Sequence, residues 1–196
     1  GKLCESSSFY VYTFYLENGY NELQISSLKD EELIRAGFQM IQKMSYWEAI
    51  KNEFIDMQVF DVFIGNQDRH PFNWMILFFD TEVKFSPLYD NGASLGFPFD
   101  DEKLDEMTSS VTKLNKYIRN TKVKAGLFER KSVKARDLLR YIQMCFPTEF
   151  ANSINKLKNF DLRKYNEFIQ TLHLLSDSQK GWLQLIIAYR RKKILE

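Results

Sequence analysis

Asp68, Asn73 and Asp90 are the residues whose types and spacing point to chemistry. The first two belong to Gly65-Asn66-Gln67-Asp68-Arg69-His70-Pro71-Phe72-Asn73. The third follows Ser86-Pro87-Leu88-Tyr89 and opens Asp90-Asn91-Gly92. Phosphoryl transfer from a nucleotide asks for a carboxylate near the incoming hydroxyl, oxygen ligands for magnesium, and positive charge near the phosphates. Asp68 is placed to be the carboxylate, and Asn73 with Asp90 supplies one amide and one carboxylate, a hard-oxygen set that suits magnesium with several waters retained. Each residue alone has a plainer explanation. Asp68 and Asp90 are ordinary turn residues, Asn73 can open a strand, Arg69 can be a surface cation or an ion-pair partner, and His70 can be a hydrogen-bonded loop residue. Their joint spacing favours the chemistry.

The elements that must position them follow from local pattern. Ser45-Tyr46-Trp47-Glu48 matches a capping box, and Trp47, Ile50, Phe54, Met57, Phe60 and Ile64 recur at helical intervals. This predicts a helix over 46–64 stopped by Gly65, with Asp68 in the loop just beyond it. The apolar run 74–79, the turn Asp80-Thr81-Glu82 and the alternation through Val83 and Phe85 predict a hairpin. With its midpoint between Thr81 and Glu82, Asn73 lands opposite Asp90, at the roughly 4.5–5.5 Å Cα spacing of antiparallel partners. Upstream, residues 9–16 predict a strand, Asn18-Gly19 a turn, and the chain to Ile25 a second strand; Ser26 and Ser27 then precede an acidic helix start. Downstream, the chain is expected to be irregular from Gly92 to about Asp100 and then acidic. Helices are expected near 109–120, 132–144, 147–157, 161–175 and 177–194, the last started by Ser176, Asp177 and Ser178. His173 lies on an apolar helical stretch and is expected to be scaffold. The basic residues from Lys113 to Arg140 are expected to form a solvated helix surface, with a docking face for an acidic partner as the alternative. Arg190 to Lys193 suit the C-terminal end of a helix dipole.

The composition supports one α+β domain, mainly helical with a few short strands. Of 196 residues, 44% are hydrophobic and 27% charged, which is globular rather than disordered, and 17 Phe with 10 Tyr can furnish a sizeable core. The formal charge of +1 gives no general attraction to nucleic acid or to an acidic membrane. No run approaches the roughly 18 apolar residues of a membrane span, and no leader pattern opens the chain. Cys4 and Cys145 lack metal-ligand spacing and fit a reducing compartment, so a cytoplasmic protein is expected. The chain opens at Gly1 rather than Met and is expected to be a processed or excised piece.

The five-residue step from Asp68 to Asn73 is the offset between the base and the metal-binding Asn in the kinase loop H-R-D-x-x-x-x-N, although the local order here is Asp-Arg-His. Asp90-Asn91-Gly92 takes the place of a D-F-G metal loop, with Asn for Phe. Ile64 to Trp74, with Pro87-Leu88-Tyr89-Asp90-Asn91-Gly92-Ala93-Ser94-Leu95, resembles the C-terminal lobe of HipA-like kinases, bacterial serine/threonine protein kinases that include toxins of toxin–antitoxin systems. The resemblance covers about residues 60–96; the helical remainder agrees only in general character. It implies a kinase-like C-lobe with a short hairpin carrying the metal site. It implies Asp68 as the catalytic carboxylate, with Arg69 and His70 supporting it in the same loop, and Asn73 and Asp90 as magnesium ligands. It also implies ATP as donor, a protein substrate, and an antitoxin as partner. Residues 1–26 would be a hinge or strand region, 27–100 the catalytic core and 101–196 a helical subdomain. No Gly-rich phosphate loop is present, so the N-lobe is expected to lie upstream, to come from a separate chain, or never to have been part of the protein. Two alternatives stand beside this: a non-catalytic pseudokinase-like binding module, and a phosphoinositide-type lipid kinase, to which the Asp-Arg-His-x-x-Asn piece is also similar.

Overall fold

The computed structural model describes residues 3–6 and 27–196. The strand expected at 9–16, the Asn18-Gly19 turn and the strand to Ile25 lie outside the described residues. Helix α1 (Asp30–Gln42) starts with Asp30, Glu31 and Glu32 in its first turn, where acids oppose the helix dipole, but no side chain caps it. Helix α2 (Trp47–Ile64) is the central element. The capping box expected at Ser45 is not formed: Tyr46 is the N-cap residue and no side chain caps the end. A 3₁₀ turn (Pro71–Asn73) leads into strand β2 (Met75–Phe78), which pairs with β1 (Leu3–Ser6) on one side and β3 (Val83–Phe85) on the other, both antiparallel. β1 was not foreseen in the sequence.

Helix α3 (Asp101–Thr108) replaces the merely acidic stretch expected after Asp100. The Asp100 carboxylate accepts a hydrogen bond from the Lys103 amide, which starts the helix, and Leu104 and Met107 bury its inner face. Its Glu106 is drawn down to about 2 by hydrogen bonds from Lys103 and from Lys113 of the next helix. Helix α4 (Val111–Arg119), a two-residue-strand pair β4 (Lys122–Val123) and β5 (Val133–Lys134), and helices α5 (Ala135–Cys145), α6 (Pro147–Lys158), α7 (Leu162–Thr171) and α8 (Asp177–Leu195) complete the chain. Ser176 caps α8 in a reciprocal box with Gln179, as its position before the helix predicted. Cys145 is a free, exposed thiol. No described helix is long and apolar enough to cross a membrane.

Two apolar clusters share α2. One gathers Ile34, Phe38, Ile50, Phe54, Trp74, Ile76, Val123, Leu127, Leu138 and Phe146, drawing on α1, the hairpin, β4 and α5. The other gathers Phe63, Ile64, Leu104, Leu114, Leu157, Trp182 and Ile186, drawing on α3, α4, α6 and α8. Because α2 enters both, its C-terminal half is buried on most sides, and its end is fixed from two directions.

That end is closed in two ways. Gly65 takes the left-handed conformation (φ 69°, ψ 39°) as C-cap, in agreement with the sequence. Arg190 of α8, buried, donates to the Val62 carbonyl at 3.0 Å and to Thr121 Oγ1 at 3.3 Å. Arg190 therefore serves the dipole of α2 rather than that of its own helix, as the basic run at 190–193 had suggested. A Cβ on Gly65 would sit 2.3–2.4 Å from the Arg190 guanidinium, and a left-handed alanine costs about 1–2 kcal/mol before that clash is counted. Gly65→Ala is thus expected to lower unfolding free energy by at least about 2 kcal/mol in urea denaturation. An unchanged midpoint would contradict this account of the cap.

Candidate active site

The loop after α2 is built on a buried ion pair. Asp61, in the last turn of α2, receives Arg69 Nε on Oδ2 at 2.9 Å and Arg69 Nη2 on Oδ1 at 3.1 Å, and both side chains are excluded from solvent. Arg69 Nη1 donates to the Asn73 carbonyl at 2.8 Å and to the Tyr89 carbonyl at 2.5 Å, and Nη2 also donates to Asn91 Oδ1. All five guanidinium donors are engaged. Burial pushes the Asp61 carboxyl above its ordinary value, against the opposing pull of Arg69 and of Asn66 Nδ2, which donates to Oδ1 at 3.1 Å.

Arg69 therefore joins the two candidate loops, a task the sequence assigned to hairpin register. The observed register pairs Ile76 with Phe85, Leu77 with Lys84 and Phe78 with Val83, and the Phe79 amide donates to the Glu82 carbonyl. The midpoint falls between Asp80 and Thr81, one residue earlier than expected, and extending this register sets Asn73 against Leu88 rather than Asp90. Asn73 also ends a 3₁₀ turn and lies outside the strand. What unites residues 73 and 89–91 is the shared guanidinium.

Local bonds then shape the loop. Asn66 Oδ1 accepts from the Asp68 amide at 3.0 Å, and the Asp68 carbonyl accepts from the His70 amide at 2.8 Å and from Asn73 Nδ2 at 3.0 Å. Asn73 is buried, so its amide is fixed. His70 Nδ1 accepts from the Phe72 amide at 3.2 Å, capping the 3₁₀ turn, while His70 Nε2 stands 4.0 Å from Asp68 Oδ2, beyond hydrogen-bond reach. The other Asp68 oxygen, Oδ1, is met by Lys124 Nζ at 2.6 Å.

The second loop is tied down on both sides of Asp90. Tyr89 Oη donates to the Phe72 carbonyl at 2.7 Å, and burial, with a smaller push from the Asp90 charge against the pull of Arg69, raises the Tyr89 hydroxyl. Ser94 Oγ donates to the Asn91 carbonyl at 2.6 Å, the Gln67 amide to the Ala93 carbonyl at 3.1 Å, and the Leu95 amide to the Ile64 carbonyl at 3.0 Å. Asp90 itself is exposed and left-handed (φ 53°), a conformation Asp tolerates better than most residues and one that clusters at functional sites.

Three parts of this arrangement escaped the sequence. Asp61 carried a signal, an acid on an otherwise apolar helix face eight residues before an arginine. Asn66 sits next to Gly65 in a position typical of side-chain turns. Lys124 had none: it comes from the segment 56 residues after Asp68 that composition assigned to a solvated helix surface. Among the described residues no three His, Cys, Asp or Glu side chains gather as a metal cage.

No family model matches the chain. The chain is similar to the serine/threonine-protein kinase CtkA of Helicobacter pylori, with 26% identity over 157 residues, 76% of this chain and 46% of that protein; it thus spans about half the length of that relative. The crystal structure of a Helicobacter pylori proinflammatory kinase CtkA superposes with a TM-score of 0.75 at 20% identity, over 99% of this chain and 66% of that one. The chain has a mostly helical α+β fold with small antiparallel sheets, the fold of that kinase structure.

Proposed function

We propose that this chain is the C-lobe of a HipA-like serine/threonine protein kinase that transfers the γ-phosphoryl group of ATP to a Ser or Thr hydroxyl of a protein. The observation that carries this is the Arg69 hub, which ties the loop bearing Asp68 and Asn73 to the loop bearing Asp90 through one buried guanidinium. The similarity to a serine/threonine kinase supports the reaction class. In this reading Asp68 accepts the proton of the attacking hydroxyl while its oxygen bonds to the γ-phosphorus and the bond to the β–γ bridging oxygen breaks, releasing ADP.

Asn73 and Asp90 would hold magnesium. The donor set fits: one exposed carboxylate and one amide, with no all-protein cage among the described residues, is the kind of partial shell magnesium takes when phosphates and waters complete it. The bond from Asn73 Nδ2 to the Asp68 carbonyl fixes that amide and leaves its oxygen as the end available to a cation. Bound there, the ion would neutralise charge on the phosphates. The region 27–100 then acts as catalytic core and 101–196 as helical support. An N-lobe, upstream or on another chain, covers the nucleotide; an antitoxin partner is what the HipA-like resemblance implies, and the two lone thiols fit a cytoplasmic setting.

Calorimetric titration of the full-length protein with ATP, with and without magnesium, tests the site. Binding is expected to need magnesium and to weaken about tenfold or more in Asp90→Asn, the scale seen when a metal's partners are altered. Magnesium-independent binding that the variant leaves intact would remove Asp90 from the metal site. Binding without any phosphotransfer would favour the pseudokinase-like alternative, and transfer to lipid vesicles but not to protein the lipid-kinase one.

A further inference from the structure

Lys124 reaches the Asp68 carboxylate from a turn that is bolted to the active-site loop. Ala125 and Gly126, the two residues after it, are both left-handed (φ 57° and 63°). Three bonds hold that turn, each from a different part of the site scaffold. Gln58 Nε2 of α2 donates to the Ala125 carbonyl at 2.9 Å, Trp74 Nε1 ahead of β2 donates to the Gly126 carbonyl at 2.9 Å, and the Gly126 amide donates to the Arg69 carbonyl at 2.6 Å. A Cβ on Gly126 would stand 2.8 Å from Trp74 Nε1 and 2.9 Å from Met57 Cε, so the turn's backbone packs directly on the side chains of α2 and of the residue ahead of β2. Ala125 accepts a left-handed conformation that alanine disfavours, in a buried position.

The product of this construction is an ammonium 2.6 Å from Asp68 Oδ1. The Lys124 and Asp68 side chains are 24% and 45% exposed, a setting in which ion pairs add little to stability. The turn itself is held by its hydrogen bonds and by the core around Ala125 and Leu127, but the ion pair at its edge adds little to stability, and what the pair supplies is aim. We infer that Lys124 is a positioning residue for phosphoryl transfer, holding the Asp68 carboxylate by one oxygen so that the other faces the incoming hydroxyl. The inference rests on the proposed function. A carboxylate restrained in this way starts nearer the reactive geometry, and the transferred proton goes to the free oxygen.

The test is the kinetics of the full-length protein with magnesium-ATP and casein as acceptor, for wild type, Lys124→Met, Lys124→Arg, Asp68→Asn and Asp68→Asn/Lys124→Met. Lys124→Met is expected to lower kcat on the order of 10- to 100-fold with KM for ATP changed less than about twofold, since the loss lies in the orientation of the base. Lys124→Arg is expected to recover part of kcat. In the Asp68→Asn background the methionine substitution is expected to cause no further loss, because a residue acting only through Asp68 has nothing left to act on. A wild-type kcat in Lys124→Met, or an additional loss on top of Asp68→Asn, would overturn the inference; Lys124→Gln replaces the methionine variant if that one does not fold. An inactive wild type, or an Asp68→Asn protein at full activity, overturns the proposed function itself. An active wild type, a disabled Asp68→Asn and a full-speed Lys124→Met overturn the role of Lys124 alone.

Discussion

Replacing Arg69 with methionine is expected to lower unfolding free energy by about 3–5 kcal/mol, the usual cost of breaking a buried ion pair from one side. The side chain is excluded from solvent, and its removal strands the Asp61 carboxylate with Asn66 as its remaining side-chain donor. The carbonyls of Asn73 and Tyr89 lose the same partner, and each buried acceptor left unpaired adds to the cost. Lysine at this position is expected to restore only part of the loss, because one ammonium with three donors cannot reproduce a planar fork that serves five acceptor contacts. The pH dependence identifies the mechanism. Burial already holds the Asp61 carboxyl above its ordinary value of 3.8, with Arg69 opposing, so removing Arg69 raises it further. A group raised in the folded state contributes its stability fully below its unfolded value and loses it as pH climbs through the folded one. The deficit of Arg69→Met relative to wild type is therefore expected to be smallest near pH 4 and to grow toward neutral pH. Urea denaturation of both proteins across that range checks it; a deficit independent of pH would mean that Asp61 is not the stranded group.

The features legible in the sequence were those that local chemistry decides. Gly65 stops α2 because a left-handed C-cap is needed there, and Ser176 starts α8 because its hydroxyl and Gln179 satisfy each other's backbone. The hairpin was legible as an element, but its register was not. Counting Asp80-Thr81-Glu82 as the turn moved the midpoint by one residue, whereas Glu82 in fact pairs with Phe79. The helix at 101–108 was missed although Asp100 caps it and Leu104 and Met107 fall at helical spacing, because the run of acids there was read for its charge alone. Arg69 was judged by its type, which is mostly exposed, and only the fold shows that Asp61 was spaced to receive it. Lys124 and Arg190 were beyond local reasoning altogether. Their partners lie 56 and 128 residues away, and nothing short of the packing of α2 against the rest of the chain brings them together. The candidate site residues, Arg69 among them, could thus be named from the sequence, while the bridging task of Arg69 and the contacts made by Asp61, Asn66 and Lys124 could not.

Asp68→Asn is expected to reduce phosphotransfer by the full-length protein on the order of 10²- to 10⁴-fold in kcat, the range over which a positioned general base accelerates a reaction. The substitution keeps the size of the side chain and leaves the backbone contacts of residue 68 in place, since its amide bonds to Asn66 Oδ1 and its carbonyl to Asn73 Nδ2. It removes the proton acceptor and the partly exposed ion pair with Lys124, and a pair of that kind contributes at most about 1 kcal/mol, so the fold is expected to survive with little change. Nucleotide affinity should also survive, because the proposed magnesium ligands are Asn73 and Asp90. The two aspartates are thereby separable: Asp90→Asn is expected to weaken magnesium-dependent ATP binding, whereas Asp68→Asn is expected to bind ATP and fail to transfer. Single-turnover phosphorylation of casein beside calorimetric ATP titration distinguishes them. A variant at Asp68 that transfers phosphate at the wild-type rate would exclude it as the base, and the neighbouring imidazole of His70, whose Nε2 stands 4.0 Å from the Asp68 carboxylate, would then be the residue to replace next.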